Sequence, residues 1–195
     1  MLFHTLATGA KIPVLGLGTW KLTGEPCVHA VKSALEMGYV HIDTAQRYDN
    51  ETEVGKGIAL SGVDRKKIFL TSKVWLSHFH YDAVFRACKE SLTKLGTDYL
   101  DLYLIHWPDD SVPVKETLRA LNELVVSGTV KNIGVSNFSI PRWEEAQSFS
   151  KAPLVVNQIE CHPLFRQDKL LAHAEKINRI ITCYSPLGRG NDLMH

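Results

Sequence analysis

The sequence predicts an α/β fold, a parallel (β/α)8 barrel of the TIM type of which about seven strands are present, preceded by a small N-terminal β-hairpin. Three observations carry this. Short apolar runs alternate with helix-like segments at an interval of about thirty residues, the pattern of successive βαβ units. Most runs are nearly all aliphatic, as strands buried on both faces must be. Each run also ends abruptly in polar or aromatic residues, and in a parallel barrel those positions share the C-terminal face, where barrel enzymes assemble their sites.

In chain order, Thr8-Gly9-Ala10 between two short alternating segments predicts the hairpin, which would cap one mouth of the barrel. The strands are expected over Val14–Trp20, Tyr39–Asp43, Ile68–Lys73, Tyr99–His106, Val130–Ser136, Leu154–Glu160 and Ile180–Tyr184. A helix over Pro26–Met37 has proline near its start and Gly38 beyond its end. Asn50 and Glu53 have the spacing of a capping box at the start of a second helix, which runs to about Leu60. Asp82–Leu95 and Val114–Ser127 place their apolar residues at three- and four-residue steps, with Gly96 and Gly128 behind them. Helices over about Pro141–Phe149 and Asp168–Ile177 complete the series.

With 195 residues, 45% hydrophobic and 22% charged, the chain can bury a sizeable core, and residues 1–195 are expected to form one incomplete barrel domain. Its 22 basic and 21 acidic residues leave a net charge of +1, which argues against nucleic acid as a partner. The first residues lack a basic segment followed by an apolar run, and apolar residues nowhere continue for a membrane span; a cytoplasmic protein without membrane contact is expected. Cys27, Cys88, Cys161 and Cys183 lie far apart without C-x-x-C spacing, so they are expected to be reduced and structural.

Among the converging strand ends, Asp43, Lys73 and His106 are ionisable, and Tyr48 follows Asp43 by five positions. Alone, each would be read as a surface ion pair or a satisfied polar group; four at successive strand ends point to acid–base chemistry. An ammonium about 4 Å from a phenol stabilises the phenolate by roughly 4 kcal/mol at an effective dielectric of 20, which lowers the tyrosine pKa by up to about 3. Asp43 would hold Lys73 charged and oriented, and a neutral His106 would point a ring N–H at a carbonyl oxygen. Trp20, Trp75 and Trp107 sit at or past strand ends, where barrel packing and an aromatic wall around a small substrate are equally consistent with position. His78 and His80 have the look of a metal pair but lack an assigned third ligand, and a solvated loop is the preferred reading, with no metal site expected. Gly16-Leu17-Gly18-Thr19-Trp20-Lys21 lacks the third glycine of a dinucleotide-binding turn, against a doubly wound sheet. A metal-dependent hydrolase using His41, Asp43 and His106 is disfavoured because the first strand lacks its H-x-H.

Six segments together resemble the aldo-keto reductase superfamily, in that family's order: residues 41–51 (His-Ile-Asp-Thr-Ala-Gln-Arg-Tyr-Asp-Asn-Glu), 71–75 (Thr-Ser-Lys-Val-Trp), 101–108 (Asp-Leu-Tyr-Leu-Ile-His-Trp-Pro), 134–138 (Gly-Val-Ser-Asn-Phe), 157–160 (Asn-Gln-Ile-Glu) and 184–187 (Tyr-Ser-Pro-Leu). The resemblance implies a catalytic tetrad of Asp43, Tyr48, Lys73 and His106, with Tyr48 as proton donor, and NADPH as cofactor. It implies that Ser136, Asn137 and Gln158 hold the nicotinamide carboxamide, that Tyr184 stacks on the ring, and that Thr19, Asp43, Ser185 and Leu187 also contact the cofactor. Trp20, Tyr48, Trp75, His106 and Trp107 are the implied substrate pocket. Within the superfamily, the wording of residues 43–51 is most similar to the bacterial 2,5-diketo-D-gluconate reductase and methylglyoxal reductase group, which implies a small dicarbonyl or a diketo sugar acid as substrate. The alternative, a non-catalytic cofactor-sensing or partner-binding barrel, would be favoured by loss of a tetrad residue, and none is lost.

A complete barrel takes roughly 250 residues, so the chain is expected to stop in the loop after its seventh strand. The family's segment for the adenosine 2′-phosphate would lie beyond it, leaving the choice of NADP over NAD to resemblance alone. The intact enzyme is expected to be a monomer, and this chain, with unpaired strand edges, to aggregate or dimerise.

Overall fold

The computed structural model describes residues 2–188; the expected terminal loop at 191–195 lies outside them. The chain opens with an antiparallel hairpin, β1 (Phe3–Thr5) and β2 (Lys11–Pro13). Seven strands follow: β3 (Leu17–Gly18), β4 (His41–Asp43), β5 (Phe69–Val74), β6 (Leu102–Ile105), β7 (Ile133–Ser136), β8 (Leu154–Glu160) and β9 (Ile180–Tyr184). They pair in sequence order and all in parallel, each with the next, in a nearly closed barrel. The crossovers are helices α1 (Gly24–Glu36), α2 (Glu51–Ser61), α3 (Tyr81–Leu95), α4 (Val114–Val126), α5 (Ile140–Phe149) and α6 (Asp168–Lys176). Among the described residues, no helix is long and apolar enough to cross a membrane.

Alternation along the strands sorts residues into layers. On β5, Leu70 and Val74 join the core between sheet and helices, which also holds Val31, Val54, Val84 and Leu121. The inward residues of the same strand climb from Phe69 through Thr71 to Lys73. Phe69 belongs to an apolar floor with Leu102, Leu104, Val155 and Val156, and the hairpin contributes Leu6 and Ile12 to it. The expected cap is therefore a plug in the N-terminal mouth: Leu6 and Ile12 are both 2% exposed, and burying two such side chains is worth about 3 to 6 kcal/mol. Above the floor the interior turns polar, first with the His41 Nε2 contact to Thr71 Oγ1 at 3.0 Å, then with Asp43, Lys73 and His106 at the mouth.

Several expectations need correction. The run Val14–Trp20 pairs only at Leu17 and Gly18; Val14 and Leu15 are exposed because they lead from the plug to the wall. Gly16 lies so close to the His41 ring that a Cβ would stand 2.8 Å from Nδ1. The run Tyr99–His106 pairs regularly only from Leu102, since the carbonyl of Tyr99 and the carboxylate of Asp101 are taken by Arg65. Gly134 marks the register shift between β7 and β8, where a Cβ would meet the Val156 carbonyl oxygen at 2.5 Å. Cys27 and Cys88 are core residues, Cys161 is half-buried, and Cys183 departs from the structural expectation by being exposed.

Candidate active site

Parallel register brings the four ionisable residues to one mouth. Asp43 ends β4 opposite Thr71 of β5, two residues below Lys73 on the same face. Lys73 is fully buried and donates from Nζ to Asp43 Oδ1 at 2.5 Å, to the Thr44 carbonyl at 2.9 Å and to Tyr48 Oη at 3.4 Å. Tyr48 rides on a 3-10 turn over Gln46–Tyr48. Its ring meets the His106 imidazole edge to face with centroids 5.5 Å apart, and the Trp75 ring meets the same imidazole, also edge to face, at 5.1 Å.

Burial works against the Lys73 charge, yet the adjoining Asp43 and Tyr48 together hold its pKa above the usual lysine range. His106 is pushed down to about 3, chiefly by burial and then by Lys73. It is neutral at physiological pH, and its Nδ1 has no hydrogen-bond partner among the described residues. For Tyr48 the lowered pKa expected from the sequence is not found. Burial is the largest influence and raises it; Lys73 pulls the other way without prevailing. At neutral pH Tyr48 is therefore a fully protonated phenol beside a fixed cation, an arrangement that favours phenolate character only when a proton is being transferred.

The residues expected to hold a cofactor form a connected polar arc. Gln158 of β8 reaches across the mouth to donate from Nε2 to Asp43 Oδ2 at 2.8 Å, and Thr19 donates from Oγ1 to the Asp43 carbonyl at 3.1 Å. Ser136 donates to the Gln158 carbonyl at 2.8 Å, Asn137 Nδ2 donates to Ser136 Oγ at 3.0 Å, and Tyr184 Oη donates to Asn137 Oδ1 at 2.9 Å. Asn137 adopts φ 64° at the end of β7, a left-handed conformation that Asn tolerates better than most residues. Ser185 and Leu187 lie beyond the end of β9, with Leu187 70% exposed. Of the three tryptophans, Trp75 is packed onto His106, while Trp20 and Trp107 are 47% and 43% exposed. His78 and His80 diverge, His78 to Gln46 and Ser77 and His80 to Glu116.

Sequence reasoning missed the residues that brace the loop carrying Tyr48. Asn50 is the residue before α2, but its side chain makes no capping bond. It accepts from Thr44 Oγ1 at 2.9 Å and donates to the carbonyls of Thr19 and Leu22, each at 2.8 Å. One buried amide thus ties the ends of β3 and β4 to the start of α2. Gln46 accepts the Trp75 N–H at 3.1 Å, and Glu51 accepts from Ser72, beside Lys73, at 2.6 Å. The one available signal was their position within residues 41–51.

Residues 14–191 match the model of the aldo/keto reductase family. The chain is 41% identical to an aldo/keto reductase of Synechocystis, over 98% of this chain and 65% of that one, so it spans about two thirds of that relative's length. It is 45% identical to methylglyoxal reductase DkgB of Escherichia coli O157:H7, over 93% of this chain and 69% of that one. The crystal structure of a Bombyx mori aldo-keto reductase in complex with NADP superposes with a TM-score of 0.92 at 36% identity, covering 100% of this chain and 69% of that chain. Fold, mouth and sequence lead to one conclusion: the chain belongs to the aldo/keto reductase family.

Proposed function

We propose that this chain carries the catalytic mouth of an NADPH-dependent reductase of small carbonyl compounds. The observation that supports it most is the Lys73 ammonium held between Asp43 and Tyr48 Oη, with a neutral His106 beside the phenol. A carbonyl oxygen placed between Tyr48 and His106 would accept the Tyr48 proton. Lys73 stabilises the negative charge this leaves on the phenol oxygen, and Asp43 keeps Lys73 oriented. His106, being neutral, donates a ring N–H without offering a competing acid. Trp20, Trp75 and Trp107 would shield the reacting centre from water.

The buried Ser136 and Gln158 and the half-buried Asn137 supply both donors and acceptors, which is what a carboxamide requires. Gly18 leaves open space where a side chain would project, with nothing within 4 Å of a Cβ, and Tyr184 offers an aromatic face beside Asn137. When bound, the nicotinamide supplies the hydride. NADP as ligand of the Bombyx mori relative and methylglyoxal as the compound named in the bacterial one support this reading. They favour a small dicarbonyl or diketo sugar acid as substrate. The test is NADPH consumption by the 195-residue chain with methylglyoxal and 2,5-diketo-D-gluconate, beside Tyr48→Phe. Turnover that falls by about a thousandfold in the variant is expected; equal turnover in the two proteins would overturn the assignment.

A further inference from the structure

The rim of this mouth carries a cation that the proposed chemistry does not use. The Arg47 guanidinium lies over the Trp75 indole, 5.6 Å from the ring centroid. Its place is fixed from both sides: Gln46 holds the Trp75 backbone, and Tyr48 closes the turn by donating its N–H to the Ala45 carbonyl at 3.0 Å. Because Trp75 also packs on His106, a single indole separates the guanidinium from the imidazole. At the neighbouring strand end, the Lys21 ammonium sits over Trp20 at 4.6 Å.

Among the described residues, little neutralises this charge. Asp49 stands 3.7 Å from Arg47, with the two side chains 58% and 79% exposed, a pair of small energetic worth. Lys73 and Asp43 cancel each other as a close pair. The acids after Trp107 are engaged elsewhere: Asp110 binds Arg142 through both oxygens at 2.6 Å, and Asp109 accepts from Ser111 N at 2.8 Å. A substrate entering between Tyr48 and His106 therefore meets a planar, bidentate anion-binding group that leans on an aromatic face and so retains fewer conformations to lose.

We propose that Arg47 is a specificity-determining residue that selects carbonyl substrates bearing a carboxylate a few bonds from the reacting carbonyl. The proposal deepens the reductase reading and rests on it for the location of the carbonyl. The probes are 4-carboxybenzaldehyde and benzaldehyde, which share a ring and differ in charge, with the full chain and its Arg47→Gln variant. Turnover gives kcat/KM, and quenching of tryptophan fluorescence gives Kd independently of turnover. Arg47→Gln is expected to weaken binding of the carboxylate probe by about five- to tenfold, through KM and not kcat, while benzaldehyde is unchanged and the melting temperature is kept. The wild-type preference should also shrink as salt is raised. Equal effects on both probes, or none on either, would overturn the proposal. Charge-selective binding that depends on Arg47 in a chain that reduces neither aldehyde would sustain it and count against the reductase reading alone.

Discussion

The two ends of the barrel each hold a cation–carboxylate pair, built to opposite ends. At the N-terminal side Arg65, before β5, binds Asp101, before β6, at 2.8 Å. Its guanidinium also donates to Thr97 Oγ1 and to the carbonyls of Ile68 and Tyr99, and it lies over the Tyr99 ring at 4.1 Å. Asp101 in turn accepts the Leu70 N–H at 2.9 Å. Four of the five N–H donors of the planar fork are spent in sewing two strand starts together. At the C-terminal side the Lys73 ammonium makes two strong bonds, then points at a phenol 3.4 Å away. Near saturation fits a group that only holds structure, whereas a group that stabilises a transient charge must leave one interaction unfinished.

The largest expected effect is a double dissociation of the two pairs. Lys73→Met should lower kcat by about a thousandfold or more in the protein that remains folded, although it too leaves a carboxylate, that of Asp43, without its cation and so also costs stability. Arg65→Met leaves Asp101 half-buried and uncompensated and should cost about 2 to 4 kcal/mol in urea unfolding, while the fraction still folded keeps its activity. If Arg65→Met abolishes turnover in folded protein, or Lys73→Met leaves it intact, the division between the two ends is wrong.

The second effect is in pH. His106 titrates at about 3, against 6.5 ordinarily, because burial disfavours its charged form. Between those values the unfolded chain binds a proton that the folded chain refuses, so stability falls as pH is lowered. The penalty is absent above pH about 6.5 and reaches about 3 kcal/mol by pH 4. His41, also lowered by burial, adds in the same sense. Urea unfolding at pH 7 and pH 4 should therefore show a smaller acid loss in His106→Gln than in the wild type. An identical loss would mean that His106 is not held neutral by its surroundings, and with it would go the assignment of an uncharged donor at the mouth.

How much of this contrast the sequence displays depends on distance along the chain. The inner strands β5 to β8 were found because their residues are buried on both faces, and burial leaves a compositional trace within a few positions; the edge strands β3 and β9 are only partly buried and were legible by their place in the series. Asp43, Lys73 and His106 were legible as strand-end polar residues for the same reason, and Tyr48 by its place five positions after Asp43. Strand length was less so: Tyr99 and Asp101 read as strand, yet they answer to Arg65, more than thirty positions earlier. Asn50 read as a helix cap because capping is local, whereas its partners at Thr19 and Leu22 come from another strand end. The Tyr48 pKa went the other way from expectation because a charge pair at a given distance can be guessed from motif spacing, but the burial that outweighs it belongs to the assembled mouth.

The smallest expected effect probes whether the bottom of the barrel is truly separate from the top. Thr8, in the hairpin, donates from Oγ1 to Asn132 Oδ1 at 2.5 Å, and Asn132 Nδ2 donates to the Asp101 carbonyl at 2.9 Å. The plug is thereby joined to the Arg65 network by one buried amide. Thr8→Val keeps the side-chain shape but removes the donor, leaving an acceptor on a residue that is 3% exposed without its bond. The cost should be about 1 kcal/mol, read as a small drop in urea midpoint at constant slope. kcat should not move, because the apolar floor lies between this amide and the polar mouth. A loss of activity larger than the loss of folded protein would show instead that the floor couples the two ends, and the Arg65 and Lys73 pairs would then have to be treated as parts of one device.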